Sequence, residues 1–240
     1  MTSAEEQVLQ QLSHEVLEMA DMLLELAERR RPVTQAALAR LRGVVRRQWP
    51  AARVELYGSA ATGLALPASD LDVVITNVPD NLQWWGLLAP LDTLAEQLKH
   101  ESWVSSVKPV RNAHMPVIKL DASAAALAPA VLAATATAPA AAASVDVSFD
   151  FPSGTHQGLQ TSNVVLRLKS GNPVLRPLVL VLKQLLLERG LNDAYMGGLS
   201  SYALTVMAAA VLQRHALEPP EERPSLGALF AAVLATYGTR

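Results

Sequence analysis

Between Pro50 and Asp150 the apolar residues leave helical spacing and fall into short runs: Val54 to Tyr57, Leu71 to Ile75, Val104 to Val110, Val117 to Leu120 and Val145 to Phe149. Runs of this length, rich in β-branched residues, predict strands. One helical stretch, about Trp84 to His100, interrupts them. A few short strands with so little helix between them predict an α+β unit: a small mixed sheet with helices over one face. On either side of this region the period changes. Val8, Leu12, Val16, Met19, Leu23 and Leu26 recur at helical spacing, with acidic residues early and Arg29-Arg30-Arg31 late, as the helix dipole favours. Pro32 is expected to end that helix. A second, Thr34 to about Gln48, carries Leu38, Leu41 and Val45 on one side, while Arg40, Arg46 and Arg47 read as a solvated face. From Gln160 the chain turns helical again, through Val164 to Leu168, Leu175 to Arg189 and Ser200 to His215, with Gly197-Gly198 separating the last two.

Composition narrows the chemistry. A chain of 240 residues that is 50% hydrophobic and 18% charged can bury a substantial core. The absence of cysteine excludes disulfides, zinc fingers and thiol nucleophiles. The five histidines show no paired metal-ligand spacing. A net charge of −2 argues against coating nucleic acid by bulk electrostatics, so any polynucleotide is expected to be held locally. The opening Met1-Thr2-Ser3-Ala4-Glu5-Glu6 lacks the basic flank and apolar core of a signal peptide and is too acidic for a mitochondrial transit peptide. Nucleus is the expected location, with cytoplasm the alternative. Residues 122–143 are nearly all alanine with Pro129 and Pro139; this is read as a disordered insertion rather than a membrane span.

The chemistry concentrates in Tyr57-Gly58-Ser59 and Ser69-Asp70-Leu71-Asp72-Val73. Residues i and i+2 of a strand share a face, so Asp70 and Asp72 can aim two carboxylates at one place. Hard divalent ions with nucleotide phosphates would suit such a pair. Taken alone, the two read rather as strand-start carboxylates in a turn after Pro67. Gly58-Ser59 follows a predicted strand and opens a helical stretch, where backbone N–H groups and a hydroxyl can cradle phosphate. A bridged metal site needs a third carboxylate. Asp146 in Ser144-Val145-Asp146-Val147-Ser148-Phe149 faces opposite to the apolar set, and Asp150 competes on the same parity. Lys183 is a lone cation in the apolar run Leu178 to Leu187, so it either snorkels to water or meets an anion. Tyr202 is a half-buried helix residue or a stacking platform for a base.

Assembled, these residues resemble the DNA polymerase β-like nucleotidyltransferase superfamily, and within it the noncanonical poly(A) polymerases with a PAP-associated domain, which tail nuclear RNAs for surveillance and decay. The pieces that carry the resemblance are Tyr57 to Ile75, Met115 to Leu120, Val145 to Phe149, Leu175 to Gln184, Arg189 to Asp193 and Gly197 to Tyr202. The resemblance implies N-terminal helices over 1–50 packing with a helical domain, a nucleotidyltransferase palm over 51–152, and a helical central domain over 153–240. It implies that Asp70, Asp72 and Asp146 bind Mg²⁺ or Mn²⁺ in a two-metal mechanism and that Gly58 and Ser59 contact phosphate. Lys183 and Ser201 match triphosphate contacts, Tyr202 the base-stacking tyrosine, and Thr161 a sugar contact that relatives commonly make with asparagine. The implied reaction adds AMP from ATP to RNA 3′ ends, with an RNA-binding protein partner and no membrane. Terminal uridylyl transfer, a small-molecule nucleotidyltransferase and a catalytically silent nucleotide- or RNA-binding scaffold are the alternatives. Because the sequence stops at Arg240, soon after the PAP-associated region opens, the base-selecting loop of relatives is expected to be missing.

Overall fold

The computed structural model describes residues 3–78, 88–113, 115–127, 143–150, 156–216, 219 and 223–238. They divide into two compact units: Met1–Ala27 with Leu64–Pro67 and Asn163–Arg240, and Glu28–Gly63 with Ala68–Ser162. No helix among the described residues is long and apolar enough to cross a membrane.

The second unit holds the sheet. Its strands are β1 (Arg53–Leu56), β2 (Leu71–Thr76), β3 (Val104–Val110), β4 (Val117–Ala122) and β5 (Ala143–Phe149). The spatial order is β1-β2-β5-β4-β3, and only β2 and β5 run parallel. All five expected strands are present, because alternation of the kind seen at Val145, Val147 and Phe149 leaves one face to bury. That face carries Val73, Ile75, Ile118, Leu120, Val145 and Val147, packed with Leu91, Leu94 and Leu98 of α3 (Leu88–Lys99). The expected start of that helix at Trp84 lies outside the described residues. Burying side chains of this size contributes about 1.5–3 kcal/mol each. The opposite face is left for polar residues. β3 is an edge strand, the place in a sheet where a proline such as Pro109 is tolerated.

Three sequence expectations are corrected here. Pro32 does not end the first helix: α1 runs Ser3–Gln48 with Pro32 inside it. Proline removes one N–H and crowds the carbonyl four residues back, at a cost of about 3 kcal/mol. Pro32 is exposed, and the Thr34 hydroxyl donates to the carbonyls of Arg31 and Arg30 at 3.0 and 3.4 Å. Burial of the apolar stripes on both sides offsets the penalty. Moreover, only residues 3–27 of this helix group with the helical unit. Ala37, Leu38, Leu41, Val44 and Val45 belong to the core of the sheet, so 28–48 fold with it. The alanine-rich stretch is likewise not disordered throughout. Ala122 pairs with Ala143 across β4 and β5, and Ala124–Leu127 form α4. Both paired alanines are buried, where only small side chains fit against the core. Residues 128–142 lie outside the described residues.

In the helical unit, Leu175, Leu178, Val179 and Leu182 of α6 (Leu175–Glu188) pack with Leu204, Ala208 and Leu212 of α7 (Ser201–His215) and with Leu229 and Val233 of α8 (Leu226–Tyr237). α5 (Gln157–Gly171) contributes Val165 to the same core. Ser200 and Ser225 cap α7 and α8 by accepting from the N–H groups of Ala203 and Ala228. Such caps stabilise by about 1 kcal/mol each. α8 has no counterpart in the sequence expectations, because Leu226 to Tyr237 is apolar on all sides and shows no stripe.

Candidate active site

The turn after β1 is built around a close approach. Tyr57 donates its N–H to the Asp72 carbonyl at 3.1 Å, and Gly58 then takes φ +67. A Cβ on Gly58 would lie 2.1 Å from Asp72 Oδ2, so the absent side chain is what lets this carboxylate stand against the turn. α2 (Gly58–Thr62) begins here and ends at Gly63 with φ 69. The Gly58 N–H donates to the Ser162 hydroxyl at 2.8 Å, and that hydroxyl donates to the Gly158 carbonyl at 2.7 Å. This N–H is therefore engaged by the fold, while Ser59 is half-buried in the first turn of α2.

Asp72 and Asp146 are register partners on the parallel strands β2 and β5. Asp70 lies just before β2 on the same parity. Asp150 is beyond the end of β5, where its N–H caps the ladder on the Ile75 carbonyl, whereas Asp146 lies within the strand. The rung continues outward. Lys119 on β4 is the register partner of Asp146, and Lys108 on β3 is the partner of Lys119. Lys119 Nζ reaches Asp146 Oδ2 at 3.2 Å. One rung later, Ser106, Asp121 and Ser144 stand in line, with the Ser144 hydroxyl donating to Asp121 Oδ1 at 2.8 Å. Together with Asp70 these residues line a cleft of about 210 Å³.

The electrostatics is that of crowded carboxylates. Although Asp70 is exposed as a residue, its pKa is raised, first by the protein around its carboxyl and then by the charges of Asp146 and Asp121. For Lys119, partial burial pulls downward, but Asp146, Asp70 and Asp72 outweigh it and the pKa is raised. Among the described residues no three carboxylate or imidazole groups stand close enough to enclose a metal ion as the side chains lie. The hard oxygen donors and their mutual repulsion nevertheless fit a divalent cation, which would relieve the crowding; Lys119 now does part of that for Asp146.

Beneath the turn lies a cluster that the sequence does not single out. Ser148, two residues along from Asp146, donates to the Val73 carbonyl at 3.1 Å and lies 3.0 Å from His156 Nε2. The rings of His156 and Tyr57 meet edge-on at 4.7 Å. Burial pushes the Tyr57 phenol up to about 12 and holds the His156 imidazole below its usual value. A Cβ at Gly158 would strike the Tyr57 ring at 2.4 Å, so this glycine sets how closely α5 approaches the turn. Lys119 could have been found from the alternation Val117-Ile118-Lys119-Leu120. Nothing in sequence brings His156 to Tyr57.

The other expected residues are placed as follows. Thr161, in the sheet unit, donates its hydroxyl to the Gly158 carbonyl at 3.1 Å, which leaves the oxygen able only to accept from a further group. Lys183, Ser201 and Tyr202 belong to the helical unit. Lys183 is buried rather than snorkelling, and its ammonium donates to the Leu64 carbonyl at 2.7 Å. Ser201 is the exposed first residue of α7, and Tyr202 beside it is 40% exposed.

A glycine-serine turn between β1 and α2, an Asp-x-Asp strand and a third aspartate on its parallel neighbour define a nucleotidyltransferase palm. Residues 13–133 match the family described as "Poly(A) RNA polymerase, mitochondrial-like, central palm domain", and the chain belongs to this family. It is 31% identical to poly(A) RNA polymerase cid14 of Schizosaccharomyces pombe over 86% of this chain and 27% of that protein. It is 32% identical to Trf4-2 of Drosophila melanogaster, an inactive noncanonical poly(A) RNA polymerase, over 85% of this chain and 45% of that one. The chain thus spans less than half the length of these relatives. Among solved structures, the polymerase core of TRAMP, an RNA surveillance complex, superposes with a TM-score of 0.65 at 26% identity, covering 86% of this chain and 58% of that one.

Proposed function

We propose that this chain carries the catalytic palm of a template-independent RNA nucleotidyltransferase that adds AMP from ATP to RNA 3′ ends. The observation that carries the reading is the shared rung of Asp72 and Asp146, with the Gly58 turn seated on the Asp72 carboxylate. Asp70, Asp72 and Asp146 would hold Mg²⁺ or Mn²⁺. Bound there, such ions supply charge stabilisation to the phosphates and lower the pKa of an attacking hydroxyl. The chain's own residues provide position. Gly58 lets Asp72 stand against backbone, Lys119 holds Asp146 across the strand, and the Tyr57, Ser148 and His156 cluster keeps water from beneath the turn. Ser59 presents its hydroxyl and N–H at the start of α2, where phosphate oxygens are favoured. In the helical unit, the exposed ring of Tyr202 suits base stacking, worth about 1–3 kcal/mol.

ATP is the donor in this reading because the similar proteins are named poly(A) RNA polymerases. A partner that holds RNA belongs to the same reading. The chain's net charge of −2 gives it little general hold on a polyanion, and the TRAMP core it resembles is part of a complex. The test is primer extension on RNA with Mg²⁺ and each nucleoside triphosphate in turn, beside Asp70→Ala and Asp146→Ala. Extension with ATP that both substitutions abolish is the expected result. No extension by the folded chain would sink the enzymatic reading, preference for UTP would replace adenylyl by uridylyl transfer, and activity in the aspartate variants would sink the site.

A further inference from the structure

Lys108 and Lys119 extend the rung of Asp72 and Asp146 to the sheet's far edge, and nothing in the metal chemistry requires Lys108. Four strands thus line up, in register, two carboxylates followed by two ammonium groups. Side chains directly opposite on neighbouring strands stand roughly 5 Å apart, so like charges facing each other destabilise unless an anion meets them. Lys108 and Lys119 are such a pair, and Asp146 meets the Lys119 ammonium alone, leaving Lys108 without an ion-pair partner among the described residues. Both are exposed, both line the same cleft, and Lys119 retains 53% side-chain exposure while bonded to Asp146. The cleft also contains Asp121, one rung away, whose carboxylate takes the Ser144 hydroxyl. Its charge, with that of Asp70, disfavours a loosely held polyanion and leaves the lysine rung as the favourable place for a single phosphate.

From this row we infer that Lys108 and Lys119 form an anion subsite for the last phosphodiester of the acceptor RNA, placing the 3′ end on the Asp146 side of the carboxylates. The inference rests on the proposed reaction. The same chemistry would suit the triphosphate of the incoming nucleotide, but Gly58-Ser59 lies on the opposite side of the carboxylates, beside β1, and the lysine rung lies beyond Asp146. With Asp146 holding a divalent cation, the Lys119 ammonium would be left to face the phosphate.

The test measures binding rather than turnover. Affinity of the full chain for a short fluorescein-labelled single-stranded RNA is read by anisotropy across a salt series in Mg²⁺, and affinity for ATP is read separately. Lys108, which does not touch Asp146, is the clean position. Lys108→Ala is expected to weaken RNA binding about three- to tenfold and to lower the salt slope by about 0.7, the value for one single-strand phosphate contact. ATP affinity stays unchanged, and Lys108→Arg restores the RNA affinity. Lys108→Glu, with the fold checked by circular dichroism, deepens the loss. Unchanged RNA affinity in Lys108→Ala, loss of ATP affinity instead, or no measurable RNA binding by the unsubstituted chain each overturns the inference. If RNA affinity falls as expected while the chain extends no primer with any nucleotide, the subsite stands and the proposed reaction fails.

Discussion

Replacing Gly58 by alanine separates two costs that the structure assigns to one residue. The first is conformational: at φ +67 an L-residue is strained by about 1–2 kcal/mol. The second is contact. The new methyl would lie 2.1 Å from Asp72 Oδ2 and 2.9 Å from Cγ, so the carboxylate must retreat by roughly 1.3 Å or more to reach ordinary van der Waals distance. A displacement of that size at a reacting centre costs on the order of 100-fold in rate. Gly190 provides the control. It has φ +66, and a methyl added there would meet nothing within 4 Å, so Gly190→Ala carries the backbone strain alone. Urea denaturation should show Gly190→Ala destabilised by about 1–2 kcal/mol and Gly58→Ala by more, because it adds the contact to the strain. Adenylyl transfer to an RNA primer should fall on the order of 100-fold in Gly58→Ala and stay within about threefold in Gly190→Ala. Transfer by Gly58→Ala within about threefold of the unsubstituted chain would refute the link between this close approach and the placement of Asp72.

His156 is buried and its pKa is held below 6.5, so the unfolded chain takes up a proton that the folded one resists. Its contribution to stability is full above pH 6.5 and is lost as pH falls toward the folded value, with a slope of at most about 1.4 kcal/mol per pH unit. His156→Phe should remove that slope in urea midpoints measured across pH, and an unchanged slope would show that the imidazole titrates freely. In the helical unit a methyl on Gly227 would lie 2.3 Å from the Leu9 carbonyl, and Gly227→Ala should cost about 1–3 kcal/mol by the same assay. Lys183→Met keeps the stem while removing the ammonium from the Leu64 carbonyl. Stability should fall by about 1–3 kcal/mol because the Leu64 carbonyl loses its donor, while KM for ATP rises if the ammonium serves the triphosphate; an unchanged KM assigns Lys183 to the fold.

Much of the fold is legible because burial imposes a period. Leu71, Val73 and Ile75 alternate with Asp72 and Val74, so a strand follows from the chain alone, and so does the face on which Asp72 stands. Pro32 misleads because its penalty is local and amounts to about 3 kcal/mol. The stripes that bury Val16, Ala20 and Leu23 before it and Leu38, Leu41 and Val45 after it together outweigh that penalty. The two stripes also look alike in sequence, which is why the whole helix reads as part of the helical domain. Which core each stripe joins is decided by long-range packing.

The residue types of the site are readable from local spacing: Gly58 and Ser59 after a strand, Asp70 and Asp72 on one parity, Asp146 opposite its apolar neighbours. Each depends only on residues near it in the chain, so local spacing is enough to single it out as a candidate. Tertiary structure alone decided that Asp72 and Asp146 share a rung, that Lys119 and Lys108 continue it, that Ser162 takes the Gly58 N–H, and that His156 lies under Tyr57. Those facts depend on strand order and register, set by how β2, β5, β4 and β3 bury their common apolar face. No local pattern encodes which strand becomes whose neighbour.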